Sequence, residues 1–225
     1  IEEIRQTIIS GNYLPDLNNP VVSGKISNEN SVEVDYKIFV GWDFLKASQC
    51  DQLWGGFNID LIQFIHDQKY DPTTLAQIES YIQLGDSHWD WLKKSIAYQE
   101  DEYKWFFLYA QDKPQAVCLI YHPKASVLTG NNIFYIEYIA VAPWNRKNPM
   151  NKREFSSLGM LLIKFVTNYA AIKLNLTLGF SLHSLPSAIP FYQHIGMQYI
   201  DGKEKDGLKF FEMPCDVANK YMEAS

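Results

Sequence analysis

Apolar residues recur along this chain at two spacings, which together predict a mixed α/β domain. Strands are predicted over residues 104–111, 115–121, 133–142 and 176–182. The first two are apolar on both faces, which is typical of strands covered on both faces of a sheet. A further segment, from Phe155 to Ile172, repeats apolar residues three and four positions apart and predicts a long helix. Strands that alternate with helices in this way predict a central mixed sheet flanked by helices.

Turn and capping residues predict the remaining elements. Asp112-Lys113-Pro114 joins the first two strands as a hairpin, and Asp71-Pro72 marks the start of a helix. The other elements are a strand over 36–40, short helices over 87–98 and 186–195, and a hairpin from 197–200 and 208–213. The polar residues 23–31 predict a loop. We therefore divide the chain into an extension of unknown role (1–36), one α/β domain (37–215) and a C-terminal tail (216–225).

Composition and charge argue against several classes of protein. A net charge of -6 disfavours a nucleic-acid partner, because nucleic-acid binding depends on cations that neutralise phosphates. The three cysteines are widely spaced and form no CxxC pair, which favours reduced thiols in a cytoplasmic protein over a zinc site or disulfides. No apolar run approaches the roughly 18 residues of a membrane span, and no secretory signal is recognisable. The histidines show no metal-ligand spacing, so we expect no metal.

A basic loop before the long helix is a candidate for binding phosphate. It carries four cations and no acid over eight residues: Arg146, Lys147, Lys152 and Arg153. The turn Ser156–Gly159 then opens the helix, and a helix N-terminus offers unpaired N–H donors and partial positive charge. An ordinary solvated loop that ends in a serine cap explains the same residues equally well.

Two segments around this loop resemble the GNAT superfamily of acyl-CoA-dependent N-acyltransferases. The strand end Ile139-Ala140-Val141-Ala142-Pro143 is similar to the family's strand that ends in Val-Pro. The segment Ser187–Met197 is similar to the family's A-x-x-x-(F/L)-Y-x-x-x-G-(F/M) motif. Where the family has the turn Arg/Gln-x-x-Gly-x-Gly/Ala, this chain has Glu154–Gly159, and only Gly159 matches. The resemblance covers residues 100–213.

The resemblance implies a sheet in which two adjacent parallel strands splay apart at their C-terminal ends. Acetyl-CoA would bind in the gap and pair its pantetheine amides with main chain near Ile139 and Val141, as an added strand does. Its pyrophosphate would bind N–H groups of residues 156–161, and cations of the loop would reach its 3′-phosphate. The implied cofactor-binding residues are Ile139, Val141, Arg146, Lys152, Arg153, Ser156, Ser157, Leu158, Gly159 and Met160.

Two residues are candidates for the chemistry of acyl transfer. The resemblance gives Tyr192 the role of general acid beside the CoA sulfur; the alternative is a packing aromatic. Glu137 is the candidate base, because strand alternation puts it on the face of Val141 and an unpaired buried carboxylate is costly. A salt bridge or a solvent-facing strand edge explains Glu137 as well. His183 either relays protons near the splay or is satisfied by backbone.

The sequence thus predicts an N-acetyltransferase that moves acetyl from acetyl-CoA directly to an amine of a small molecule or a protein. A homodimer is allowed, and neither a nucleic acid nor a membrane is expected as partner. Of Trp89 and Trp91, at most one lines a substrate groove, since residues two apart on a helix do not share a face. The alternative is a non-catalytic module of the same fold that binds acyl-CoA or a protein partner. An open splay would favour the enzyme, and a filled cleft would favour the module.

Overall fold

Eight strands, numbered β1 to β8 along the chain, form a mixed sheet in the computed structural model, which describes residues 19–223. They are Val22–Ser27, Glu33–Val40, Tyr103–Ala110, Lys113–Ala125, Asn132–Val141, Phe180–Ser184, Gln198–Tyr199 and Lys209–Glu212. Their order across the sheet is β1-β2-β3-β4-β5-β6-β8-β7. The mixed α/β class with a central mixed sheet is confirmed.

Six helices, α1 to α6, accompany the sheet within the described residues. They are Phe44–Gln68, Pro72–Tyr81, Trp91–Ala97, Leu158–Lys173, Ile189–His194 and Cys215–Glu223, with 3-10 turns at Pro143–Asn145 and Pro186–Ala188. As the sequence predicts, Asp71 caps α2, accepting hydrogen bonds from the N–H groups of Thr73 and Thr74 ahead of the first full turn. Over residues 19–223, no helix has the length and apolar character needed to cross a membrane.

The central strands are apolar on both sides because each face of the sheet is covered. In β3, Phe106 and Leu108 belong to the core cluster under α4, while Trp105 and Phe107 belong to the cluster under α1 and α3. All four side chains are essentially inaccessible to solvent. Burying such a side chain stabilises the fold by about 1.5–3 kcal/mol, so both faces favour apolar residues.

The sheet splits between its two parallel strands. β5 and β6 are the one parallel pair of neighbours in the described sheet, and they pair only at Phe134–Phe180, Tyr135–Ser181 and Ile136–Leu182. β5 then continues to Val141 beside β4, while the end of β6 pairs with β8 on its other side. The splay expected between these strands is therefore present, and it opens after Ile136.

One strand occupies a segment where the sequence predicts a loop. β1 lies within residues 23–31 for most of its length and pairs antiparallel with β2 at the edge of the sheet. Its side chains alternate between exposed and half-buried, so it lacks the apolar run of the central strands. Residues 1–18 of the proposed extension lie outside the described residues.

Several element boundaries also differ from prediction, among them the helix predicted over 87–98, which is Trp91–Ala97, and two differences have a visible physical cause. The helix α4 begins at Leu158, because Phe155 is held in an extended bridge with Asn28 and is buried there without being helical. β6 begins at Phe180, after Gly179 turns the chain with a φ of 134°. A Cβ at Gly179 would lie 2.8 Å from the carbonyl oxygen of Met213, so this turn requires glycine.

Candidate active site

The gap between β5 and β6 opens into a cleft of about 480 Å³, here called the first cleft. Its walls are the C-terminal end of β5, the first turn of α4, and α5. Nine of the ten residues predicted to bind the cofactor line it: Ile139, Val141, Arg146, Arg153, Ser156, Ser157, Leu158, Gly159 and Met160. The tenth, Lys152, is exposed and lies outside the lining. The sequence prediction thus converges on one place in the fold, while cofactor binding itself stays a prediction.

The strand edge that faces the first cleft offers free main-chain groups. The N–H of Ala142 donates to the carbonyl oxygen of Gln115 on β4 at 2.9 Å. Because main-chain groups alternate sides along an antiparallel ladder, Ala140 also faces β4, and Ile139 and Val141 point into the gap. The carbonyl of Val141 accepts from Arg146, which leaves both polar groups of Ile139 and the N–H of Val141 for a ligand.

The first turn of α4 presents N–H donors to the same cleft. Ser157 precedes the helix with a φ of 59°, and its side chain does not cap the helix. Within residues 19–223, no acceptor takes up the N–H groups of Leu158, Gly159 or Met160, whereas Leu161 donates to the carbonyl of Ser157 at 2.9 Å. The donor set is therefore shorter than the predicted range 156–161. A Cβ on Gly159 would lie 3.4 Å from the side chain of Val141, so glycine here lets the helix approach β5 closely.

A buried amide network, which was not predicted from the sequence, holds the loop between β5 and α4 in place. Gln115, fully buried, accepts hydrogen bonds from Trp144 Nε1 at 2.9 Å and Asn145 Nδ2 at 2.7 Å. Asn145 in turn accepts from the N–H of Phe155 at 2.9 Å and so ties the two ends of the basic loop together. From the other side, the N–H of Glu29 donates to the carbonyl of Glu154 at 3.2 Å. The phosphate-facing turn is therefore held by tertiary contacts.

The cations of the loop have different environments. Arg146 is nearly buried and forms a two-pronged ion pair with Asp86, at 2.5 Å for each nitrogen–oxygen contact. The ammonium of Lys147 lies 4.2 Å from the ring centroid of Tyr81. Arg153 is exposed at the rim of the first cleft. Of the predicted phosphate ligands, Arg146 is thus committed to other partners and Arg153 is the best placed.

Tyr192, on α5, lines the first cleft and also a second, smaller one. The residue is 6% exposed, and no hydrogen bond to its hydroxyl occurs among residues 19–223. Burial raises the pKa of Tyr192, so the phenol stays protonated at neutral pH. Its ring also packs on Phe191 and Phe211, as the packing alternative predicts, while the acid role stays a prediction.

The second cleft, of about 270 Å³, lies on the other side of the splay. It shares Ile139, Leu185, Ala188 and Tyr192 with the first cleft, so the two clefts meet there. The rest is lined by three apolar residues, Ile136, Leu182 and Leu208, and by polar and aromatic side chains: His88, Trp89, Tyr135, Glu137, Tyr138, His183, Lys205 and Asp206. Burial raises the pKa of Glu137, which Lys205 and Lys124 partly oppose. No ion pair or hydrogen bond engages its carboxylate within the described residues.

Glu137 reaches the second cleft because β5 bulges at this residue. Leu119 of β4 pairs with Tyr138, and the next residue, Ile120, pairs with Ile136, so Glu137 is the extra residue. The strict alternation by which Glu137 was expected to share a face with Val141 does not hold. Val141 lines the first cleft and Glu137 the second.

His183 is satisfied on both ring nitrogens. Its Nε2 lies 2.7 Å from the carbonyl oxygen of Lys203, which can only accept, so this nitrogen carries the proton. Its Nδ1 then accepts from the hydroxyl of Tyr135, at 2.6 Å. Of the two roles considered for His183, the structure therefore shows hydrogen bonding to the backbone. The bond to Lys203 ties the β7–β8 loop to the wall of the second cleft.

Trp89 precedes α3 and Trp91 is its first residue, and as expected only one of the two lines a cleft. Trp91 is 3% exposed and packs in the core against Trp54 and Trp105. Trp89 lines the second cleft and contacts Tyr138 edge to face, with ring centroids 5.0 Å apart. Over residues 19–223, no cluster of three or more metal-ligating side chains occurs.

Comparisons with known proteins concern the fold. No protein-family model matches the chain, and no curated protein matches it significantly. A putative N-acetyltransferase from Lactobacillus plantarum is 17% identical, with a TM-score of 0.44, over 79% of this chain and 95% of that one. The PaiA N-acetyltransferase from Thermoplasma acidophilum in complex with coenzyme A is 8% identical, with a TM-score of 0.45, over 78% and 98%. Apo FdhC, a nucleotide-linked sugar GNAT, is 12% identical, with a TM-score of 0.49, over 88% and 94%. At such identities and TM-scores the likeness decides nothing about the reaction, which must follow from this chain's own residues.

Proposed function

We propose that this chain is an acyl-CoA-dependent N-acyltransferase of the GNAT type, which transfers acetyl from acetyl-CoA directly to an amine. The observation that carries the proposal is the meeting of two clefts at Tyr192. One cleft has a free strand edge and a helix N-terminus, and the other has an unpaired carboxylate. Transfer between two bound molecules needs this arrangement, because donor and acceptor must meet at one point.

The first cleft would hold acetyl-CoA. Its volume of about 480 Å³ falls in the range of small-molecule sites, roughly 300–1,000 Å³. The pantetheine amides would pair with Ile139 and with the N–H of Val141. The pyrophosphate would accept from the N–H groups that open α4, where the helix dipole favours negative charge. Arg153 would contact the 3′-phosphate from the rim.

The reacting groups would then meet beside Tyr192. The acceptor amine loses a proton to Glu137, directly or through one water, and its nitrogen attacks the thioester carbonyl. A carbon–nitrogen bond forms as the carbon–sulfur bond breaks. Tyr192 donates its proton to the departing thiolate. The raised pKa makes Glu137 a stronger base, and burial keeps Tyr192 in the protonated form from which it can donate.

The alternative, a non-catalytic module, draws support from the phosphate-facing turn. Ser157 adopts positive φ where glycine is the usual residue, and the turn lacks the expected glycines. Against the module, the splay is open and the α4 N–H groups are not taken up by the described residues. Glu154 does not line the first cleft, and its carboxylate faces Lys113 with 3.8 Å between Oε1 and Nζ. The carboxylate therefore would not oppose a bound pyrophosphate at close range.

Calorimetric titration with acetyl-CoA and CoA tests the first step, and thiol release with a panel of amines tests the second. We expect binding in the micromolar range and amine-dependent thiol release. Absence of binding at high micromolar concentration would overturn the proposal. Binding without release for any amine would establish the non-catalytic module instead.

A further inference from the structure

The second cleft carries two opposite charges that do not neutralise each other. Glu137 and Lys205 both line it, and within residues 19–223 neither forms an ion pair or a side-chain hydrogen bond. They are near enough to interact, since burial raises the pKa of Glu137 and the positive charge of Lys205 opposes that rise. A ligand that carries both charges would pair with the two residues at once.

Lys205 is held at the cleft by its backbone. Its N–H donates to the carbonyl of Leu208 at 3.2 Å, and the N–H of Leu208 donates back at 2.9 Å. Asp206 and Gly207 between them have φ values of 53° and 78°, as in a type I′ turn. Two residues earlier, the carbonyl of Lys203 is bonded to His183. Both sides of Lys205 are therefore fixed relative to the wall of the cleft.

Other charged residues near the second cleft are less suited than Glu137 and Lys205 to bind the two charges of a ligand. Lys124 acts on Glu137 but does not line the cleft. The ammonium of Lys94 lies 3.8 Å from the ring centroid of Tyr138 and 5.6 Å from that of Trp89. A second cation over the same rings would be repelled, so an acceptor's ammonium is directed to Glu137 and its apolar part to Trp89. Asp206 adds a negative charge at the rim, which a bound anion must avoid.

We propose, on the basis of the acyltransferase function above, that the acceptor is a small amino-acid-like molecule. Its amine would lie at Glu137, its carboxylate or another anionic group at Lys205, and an apolar or aromatic part against Trp89. The volume of about 270 Å³ suits a molecule of this size better than the surface of a folded protein.

The test compares amino acids with the amines that lack their carboxylate. Pools of the standard amino acids and the matching decarboxylated amines are assayed for thiol release with the wild type, Lys205→Met and Lys124→Met. We expect the best amino acid to exceed its amine in kcat/KM by about tenfold or more, the effect of one charged hydrogen bond. Lys205→Met should lower the ratio of kcat/KM for the amino acid to that for its amine to about one, whereas Lys124→Met, which also removes a cation that acts on Glu137 but lies outside the cleft, should leave this ratio intact. A wild type that prefers the amines, or a Lys205→Met variant that keeps the preference, would overturn the proposal.

A binding measurement separates this proposal from the acyltransferase function. Saturation-transfer NMR with the same pools on the CoA-saturated protein reads acceptor binding without turnover. If amino acids bind the wild type and lose affinity about tenfold in Lys205→Met although no thiol is released, the acceptor class stands and the catalytic function falls. If thiol release is seen with amines but no amino acid binds, the function stands and the acceptor class is wrong. If neither is seen, both are wrong.

Discussion

The guanidinium of Arg146 donates twice to the carbonyl oxygen of Val141, from Nε at 2.9 Å and from Nη2 at 2.7 Å. The same guanidinium forms the ion pair with Asp86 and donates to the carbonyl of Gln83. Arg146 thereby joins the end of β5 to the segment after α2, and it uses a main-chain acceptor that would otherwise face the first cleft. The residue that opens the basic loop thus shapes the cleft and does not extend into it as a free cation.

Arg146→Ala should therefore destabilise the fold. It removes one partner of a nearly buried ion pair and leaves Asp86 and the Val141 carbonyl unpaired, a change that costs about 3 kcal/mol. At roughly 2–4 °C per kcal/mol for a chain of this size, the melting temperature should fall by about 10 °C. Asp86→Ala should cost a similar amount, and the double variant less than the sum. Unchanged stability with weakened CoA binding would instead identify Arg146 as a phosphate ligand.

Arg153→Ala should lower affinity for CoA without affecting stability. Arg153 is exposed at the rim of the first cleft, and we expect it to pair with the 3′-phosphate. The dissociation constants for CoA and for 3′-dephospho-CoA are measured for the wild type and the variant. The factor by which CoA binds more tightly than 3′-dephospho-CoA should be about tenfold smaller in the variant, the effect of one charge-assisted pair. Lys152→Ala is the matched control, since Lys152 is exposed but outside the cleft. Equal losses in the two variants would mean that only general charge attraction is involved.

Much of the architecture could be predicted because burial on both faces leaves a direct trace in the sequence. Phe106 and Phe107 are adjacent and both fully buried, as expected in a strand covered on two sides. The strand end at Ile139 and Val141 could be predicted from its sequence motif. Its side chains pack on the core and are therefore apolar, while its main chain faces the gap. β1 was missed because an edge strand with one half-buried face has no such apolar run.

The site was harder to predict where it depends on partners far along the chain. Arg146 and Asp86 are 60 residues apart, and nothing local to the basic loop reveals that one cation is already paired. The bulge at Glu137 is a property of the register between β4 and β5, so strand periodicity alone gave the wrong face. Lys205 enters the second cleft only because the β7–β8 loop folds back onto His183.

Glu137→Gln should remove the acidic limb of the pH–rate profile. In the wild type, kcat/KM should rise with an apparent pKa above the usual value of about 4.3, because burial raises the pKa of this carboxyl. The glutamine variant cannot accept the amine's proton, and its kcat should fall by about 100-fold. A limb that persists in the variant would assign the base to another group.

Glu137→Gln should lower kcat but raise stability relative to the wild type at neutral pH, and the change in stability tests the pKa of Glu137 independently of turnover. Since the pKa of the Glu137 carboxyl is raised in the folded state, folding favours its protonated form. The protonated carboxyl makes its full contribution to the stability of the wild type below the pKa of the unfolded state. This contribution is lost as the pH rises through the pKa of the folded state. The melting temperature of Glu137→Gln relative to wild type should therefore increase from about pH 4 upward. A difference that does not depend on pH would contradict the raised pKa.

Tyr192→Phe separates the acid from the packing aromatic. The hydroxyl has no hydrogen-bond partner among residues 19–223, so its removal should leave the melting temperature and the affinity for acetyl-CoA nearly unchanged. If Tyr192 protonates the departing thiolate, kcat should fall by about 100-fold. Tyr221→Phe is the matched control, because Tyr221 is also a mostly buried tyrosine but lines neither cleft, and its hydroxyl donates to the carbonyl of Met160 at 3.4 Å. A Tyr192→Phe enzyme with wild-type kcat would assign this residue to packing alone, since its ring contacts with Phe191 and Phe211 do not need the hydroxyl.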